Sequence, residues 1–285
     1  MADLRVRIGS LELKNPVLVA SGTFGYGNDC PDLSDVNKIG GIVTKSLSLK
    51  PRDGNPPDRI VETAGGMLNS IGLANIGVHR FISNKLPELR KYDTAIVANI
   101  AASSVDEYCD VLSLLEGEEG IHGYEINVSC PNVKEGGLSF GTNPVMIAEI
   151  TRRLRKLTKK TLIIKLTPNV THVSEFARVV AGEGADGVSL INTLVGMAID
   201  HRKRVPKLST VTGGLSGPAI KPVALAKVYE VAQSVKIPIM GIGGIMTTED
   251  AVEFLLAGAT AVQVGTANFI DPSASMKIAE GLGKY

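Results

Sequence analysis

The sequence predicts an α/β fold: a (β/α)8 barrel with a small N-terminal β-hairpin and long βα loops. Three observations lead there. Short apolar segments recur along the chain, each ending in Gly, Asn, Lys or Ser and each followed by a stretch suited to a helix. Eight such segments occur, apolar on both faces, as parallel strands buried between a core and covering helices must be. The length, 285 residues, suits the about 250 that one barrel commonly needs. A doubly wound open sheet is the alternative that strand count alone leaves open.

Arg5–Ile8, the turn Gly9-Ser10 and Leu11–Lys14 read as the hairpin. The strand candidates are Pro16–Ala20, Gly41–Lys45, Ala95–Ile100, Gly123–Val128, Leu162–Leu166, Gly187–Ile191, Pro238–Ile242 and Ala261–Gly265. Helix termini are signalled between them. Asn143-Pro144 sets an N-cap before an N1 proline and opens Val145–Leu157, whose last turn is basic. Ser104 and Glu107 have capping-box spacing before Tyr108–Leu115. Thr247 with Asp250 opens Ala251–Ala257, and Gly258 closes it. Lys221–Lys236 alternates at helical period. Two connections, Ser46–Ala95 and Thr193–Lys221, are too long for turns and read as irregular; long βα loops in barrels tend to be functional. No repeat, low-complexity tail or linker breaks the rhythm, so one domain over residues 1–285 is expected.

Composition narrows the function classes. With 44% hydrophobic residues, 21% charged residues and a net charge of +1, the chain has no electrostatic footprint for nucleic acid or anionic membrane. Met1–Ile8 has no signal-peptide apolar core, and no apolar run approaches the roughly 18 residues of a membrane span. A soluble, cytoplasmic protein is expected. The three cysteines, Cys30, Cys109 and Cys130, lie far apart, which argues against a disulfide framework. They are also too few for the four ligands an iron–sulfur cluster usually takes.

In barrels of this kind the active site lies at the carboxyl ends of the strands. Those ends carry amides, two lysines, one thiol and paired glycines, with no carboxylate or histidine cluster, so no catalytic metal is expected. Gly243-Gly244 and Gly265-Thr266 follow the last two strands, where barrels bind phosphate on bare backbone N–H groups. Cys130, just beyond the fourth strand and held extended by Pro131, is a candidate nucleophile or proton acceptor. Lys134–Gly141, glycine-rich with one aromatic, suits a flap over a small substrate. Lys45 and Lys165, at inner strand ends, must find an anion. Asn69, Asn99, Asn127 and Asn192 suit the edge of an imide or cyclic ureide. Each feature taken alone has a plainer reading: tight turns, a surface loop, a buried structural cysteine, ion pairs, helix caps. For Cys109, in its amphipathic helix, the structural reading is preferred.

Taken together, Ser21-Gly22-Thr23-Phe24-Gly25, Thr44-Lys45-Ser46, Asn69-Ser70-Ile71-Gly72-Leu73, Ile126-Asn127-Val128-Ser129-Cys130-Pro131-Asn132, Lys165-Leu166-Thr167-Pro168-Asn169, Asn192-Thr193, the run from Gly213 to Pro222 and Gly241-Ile242-Gly243-Gly244 resemble the dihydroorotate dehydrogenases of class 1. The flap and Gly196–Asp200 look like class 1B, the NAD-linked type. The resemblance implies an FMN-containing TIM barrel that oxidises (S)-dihydroorotate to orotate in pyrimidine (UMP) biosynthesis. It implies FMN contacts at Ser21, Lys45, Ser46, Asn99, Asn127, Lys165, Ile191, Gly217, Gly243, Gly244, Gly265 and Thr266. Substrate contacts are implied at Lys45, Asn69, Ser70, Ile71, Gly72, Leu73, Asn127, Asn192 and Thr193. Cys130 aligns with the base that takes a proton from C5 while a hydride leaves C6 for the flavin, and Lys165 is placed to stabilise the reduced flavin.

The chain has no GxGxxG fingerprint opening a helix. With the resemblance, that absence implies a second subunit carrying FAD and a [2Fe-2S] cluster, two copies of each chain forming a heterotetramer. Rival readings are a fumarate-linked class 1A enzyme, another flavin oxidoreductase of pyrimidine rings, and a flavin- or phosphate-binding scaffold without catalysis.

Overall fold

Each of the eight apolar segments forms a strand, and the strands close on themselves. The computed structural model describes residues 3–27, 34–129 and 140–285. The barrel strands are β1 Val17–Val19, β2 Gly41–Val43, β3 Ala95–Ile100, β4 Gly123–Asn127, β5 Thr161–Lys165, β6 Gly187–Leu190, β7 Ile239–Ile242 and β8 Ala261–Val264. They pair in parallel in that order, and β8 returns to β1 through Val262 opposite Val17 and Val264 opposite Val19. Closure excludes the open sheet and leaves no strand edge in the barrel.

Six helices of nine or more residues pack outside the barrel: α1 Val105–Glu116, α2 Pro144–Leu157, α3 Val173–Gly182, α4 Lys221–Ala232, α5 Thr248–Leu256 and α6 Ala274–Leu282. Their starts follow the expected capping chemistry. Asn143 accepts from the N–H groups of Val145 and Met146, and Thr247 with Asp250 completes a capping box. The Ser104 box forms only by half. Ser104 Oγ accepts from the Glu107 N–H at 3.1 Å, but the Glu107 carboxylate turns to the Ser103 N–H at 2.6 Å and pairs with Arg52 at 3.2 Å. The carboxylate serves an ion pair and a different backbone donor in place of the Ser104 N–H. α4 stops at Ala232, short of the expected Lys236.

Strand alternation divides the buried side chains. One apolar cluster fills the space between barrel and helices. The other lies inside the barrel at its amino end, where Leu18, Val43, Val97, Ile163, Met240 and Ala261 meet Ile8, Leu11 and Leu13 of the N-terminal hairpin Val6–Ile8/Leu11–Leu13. That hairpin plugs the barrel floor. Thr161 Oγ1 secures it, accepting from the N–H groups of Ser10 and Leu11 at 3.0 and 2.9 Å and donating to Ile8 O at 2.8 Å.

The two long connections are not irregular. They join in a four-stranded antiparallel sheet, in the order Leu194–Met197, Thr212–Ser216, Gly66–Asn69, Ile60–Thr63, beside the mouth of the barrel. These strands are short and three of the four contain glycine, so they lack the alternation by which a sequence announces a strand. The basic stretch 201–204 forms the turn of a further small hairpin, Ile199–Asp200 with Val205–Pro206. No helix among the described residues is long and apolar enough to cross a membrane.

Candidate active site

A cleft opens at the carboxyl end of the barrel. Its walls bring together Ser21 after β1, Lys165 at the end of β5, Ile191, Asn192 and Thr193 after β6, Gly217 before α4, Gly243 and Gly244 after β7, and Gly265 and Thr266 after β8. Ile220, Ile242, Ile245 and Met246 also line it. The sequence reading missed these, because aliphatic residues at strand ends look the same whether they face a cleft or a core.

The two glycine turns differ in cause. Gly244 sits at φ +73°, and a Cβ there would lie 2.8 Å from Lys221 Cβ and 2.9 Å from Gly217 O, so its own fold demands glycine. Gly265 is under no such demand: a Cβ would approach nothing closer than Ala20 Cβ at 3.6 Å. A side chain there would instead take up room at the cleft wall. The β7 turn is clamped from below. Asp250 Oδ2 accepts from the Met246 and Thr247 N–H groups at 2.8 and 3.0 Å, while Lys221 Nζ donates to Oδ1 at 2.6 Å. Burial pushes the Asp250 carboxyl up, but these donors outweigh it and hold it below its ordinary value.

Beneath the cleft the barrel interior is polar. Ser46 Oγ donates to Asn99 Oδ1 at 2.6 Å, and Asn99 Nδ2 donates to Glu125 Oε1 at 2.7 Å. Gln263 Nε2 donates to Glu125 Oε2 at 2.6 Å, and Lys165 Nζ lies 3.6 Å from Glu125 Oε1. Lys165 therefore has both its expected anion and a place on the cleft wall. Glu125 and Gln263 escaped the sequence reading because they sit within strands rather than at their ends. Lys45, partly exposed, is tied by its N–H to Gly25 O at 2.9 Å.

The expected substrate residues converge from three directions. Asn192 Nδ2 donates to Asn127 Oδ1 at 3.3 Å, and the Thr193 N–H donates to Asn192 Oδ1 at 2.8 Å. Asn69 stands opposite Gly214 in the adjoining sheet and donates to its carbonyl at 3.4 Å. A Cβ on Gly214 would fall 2.1 Å from Thr193 Oγ1, so bare backbone lets Asn69 and Thr193 approach. Segment 70–73 is held by backbone bonds, Ser70 N–H to Arg59 O at 2.8 Å and Asn55 N–H to Ile71 O at 3.1 Å.

Cys30, Cys130 and most of the expected flap, 134–139, lie outside the described residues. The chain approaches position 130 through Ser129, whose N–H donates to Asn127 Oδ1 at 3.2 Å and whose hydroxyl donates to Lys165 O at 3.0 Å. At the far end of the flap, Phe140 is buried edge-on against Tyr108, and Tyr108 Oη donates to Asn127 O at 2.8 Å. The flap's aromatic therefore belongs to the core. Cys109 is half-buried in α1, and burial pushes its thiol up, away from reactivity. Among the described residues no group of three His, Cys, Asp or Glu could hold a metal ion.

A family model described as dihydroorotate dehydrogenase matches residues 3–285. The chain belongs to the dihydroorotate dehydrogenase family. Among relatives, the catalytic subunit of dihydroorotate dehydrogenase B (NAD(+)) from Geotalea uraniireducens is 56% identical over 99% of this chain and 93% of that protein. The subunit of the same name from Geotalea daltonii is also 56% identical, over the same shares. That of Phocaeicola vulgatus is 52% identical over 100% of this chain and 94% of its own length. The family match and these relatives thus span the barrel, the cleft and the adjoining sheet of this dihydroorotate dehydrogenase family member.

Proposed function

We propose that the chain is the FMN-binding catalytic subunit of an NAD-linked dihydroorotate dehydrogenase, oxidising (S)-dihydroorotate to orotate in pyrimidine biosynthesis. Family membership and the printed names of the relatives support the reaction. One juxtaposition carries the reading: a cleft with glycine turns at one end and aliphatic walls has Lys165 and the Asn127–Asn192–Thr193 cluster in or beside it.

The residues suit a flavin mononucleotide. The turns after β7 and β8 offer backbone to a phosphate, Gly265 leaves room that a side chain would occupy, and the isoleucines suit a flat ring system. Bound FMN supplies the hydride acceptor. The chain supplies the rest. Asn69, Asn127, Asn192 and Thr193 hold the pyrimidine edge and restrict its rotation. Cys130, three residues beyond Asn127, takes the C5 proton as a thiolate. Lys165 places positive charge where reduction brings negative charge.

The words "catalytic subunit" in the relatives' names support a partner chain. We assign to it FAD and a [2Fe-2S] cluster, in a cytoplasmic heterotetramer of two catalytic and two electron-transfer subunits. We also treat residues 1–285 as one functional unit. The test is direct: the purified chain should be yellow, and anaerobic dihydroorotate should bleach it while dihydrouracil does not. Co-purification with a flavin–iron–sulfur partner should confer dihydroorotate:NAD+ activity. A lone chain reducing NAD+ at the rate of the complex would refute the partner.

A further inference from the structure

Glu125 is a carboxylate with no access to solvent, in the interior of a barrel whose amino half is aliphatic. A buried carboxylate is costly unless paired and hydrogen-bonded. Asn99, its register partner on β3, and Gln263 donate to it at 2.7 and 2.6 Å, and the ammonium of Lys165, which lines the cleft, lies 3.6 Å away. Lys165 is itself 6% exposed, and Glu125 is its only ion-pair partner among the described residues. The layer below Glu125, with Val97, Ile163 and Met240, is aliphatic, so the charge on β4 is met by the polar layer of Asn99, Gln263 and Lys165.

The geometry points to Glu125 as a positioning residue that acts through Lys165. Its carboxylate offsets the buried ammonium, so the pair presents a nearly neutral floor to the flavin, and it fixes which face of the Asn99 amide meets Ser46. This rests on the flavin reading above. In a buried site each unbalanced charge acts strongly on a group whose own charge changes on reduction. Removing the negative member must favour the reduced flavin. Removing the positive member must disfavour it. Removing both must change little.

Glu125→Gln is a mild replacement. The new amide needs an acceptor, and Gln263 Oε1, buried without a partner, supplies one if that amide turns over. The experiment measures the midpoint potential of bound flavin in the wild type, Glu125→Gln, Lys165→Met and the double variant, each loaded with FMN. We expect Glu125→Gln to raise the reduced-to-oxidised ratio at fixed ambient potential at least tenfold, about +30 mV for a two-electron couple. Lys165→Met should lower it by a similar factor, and the double variant should return to within threefold of wild type. A Glu125→Gln potential equal to wild type, or a double variant shifted tenfold or more, overturns the inference. If one single variant fails to fold, the other single variant compared with the double variant still reads the missing substitution: the two should differ at least tenfold in the reduced-to-oxidised ratio, and equal potentials overturn the inference. A protein that binds no flavin refutes the functional reading instead, and the two failures are told apart by colour.

Discussion

The side-chain amide of Asn192 donates to Asn127 Oδ1 across 3.3 Å, joining the loop after β6 to the end of β4. Both residues are expected substrate contacts, and Asn127 Oδ1 also accepts from the Ser129 N–H, one residue before Cys130. The pair therefore links the residues that hold the ring to the segment that carries the base. Asn192→Ala should leave flavin content unchanged and lower kcat/KM for dihydroorotate by about 10²-fold, the scale on which small misplacements act. Steady-state kinetics with a flavin absorbance ratio measures both. Undiminished kcat/KM would remove Asn192 from the site.

Cys130→Ser keeps the size of the side chain and loses an accessible thiolate. A hydroxyl ionises far above neutral pH, so it is a poor base there. The variant should purify with FMN bound, while anaerobic flavin reduction by dihydroorotate falls by 10²-fold or more at pH 7. Stopped-flow bleaching reads the rate. An unchanged rate at neutral pH would refute the assignment of Cys130.

Much of this was legible before the fold was known, and the rest was hidden for identifiable reasons. The strands announced themselves by apolar runs ending in Gly, Asn or Lys, and β3 lies where its run begins and ends. Barrel closure could not be read, because strand count is blind to whether β8 meets β1. Strand-end residues such as Lys165 and Asn192 were visible as chemistry out of place on apolar segments. Glu125 was equally out of place in β4, but only the structure shows that it faces inward toward Lys165 rather than outward like Tyr124, whose hydroxyl reaches Glu116 at 2.7 Å. The sheet formed by the two long connections left no periodic trace at all, since its pairing joins segments far apart in the chain through glycine.

The two glycine turns should respond differently to the same kind of change. Gly244→Ala must push against Lys221 Cβ at a positive φ, so it should destabilise the fold itself, by about 1–3 kcal/mol. Gly265→Ala has room in the protein, its Cβ meeting nothing closer than 3.6 Å, and should keep its thermal stability when flavin-free, yet bind FMN more weakly. Calorimetry of the flavin-free proteins and a flavin titration separate the two effects. Equal FMN affinity in Gly265→Ala would show that the cofactor does not lie against that turn.

Asp250 makes part of the stability pH-dependent. Its carboxyl is held below the ordinary value, so folding favours the ionised form. The unfolded chain takes up the proton first as pH falls, near the ordinary aspartate value of about 3.9. The contribution is thus complete above that value and is lost as pH drops through the lower native one. Asp250→Asn keeps the shape but weakens the clamp on the β7 turn. Its Tm deficit should be largest at pH 7, similar at pH 5 and smaller at pH 3. A deficit that stays constant down to pH 3 would contradict the role of the charge.

Thr161 offers the sharpest test of how the barrel floor is sealed. Its hydroxyl serves Ser10, Leu11 and Ile8 at once, at distances of 3.0, 2.9 and 2.8 Å. Thr161→Val preserves volume and strand preference while leaving two backbone donors and one acceptor of the plug without that partner. Unpaired buried groups cost about 1–3 kcal/mol each, reduced where water reaches them, so a loss of about 2–4 kcal/mol is expected. Thr161→Ser should recover most of it, because the oxygen rather than the methyl group makes the contacts. The catalytic end lies across the barrel, so kcat and KM at 25 °C should stay within twofold in both variants. Thermal melts with parallel kinetics check this. If Thr161→Val melted at the wild-type temperature, the plug would be held by Ile8, Leu11 and Leu13 alone, and the hydroxyl would be incidental.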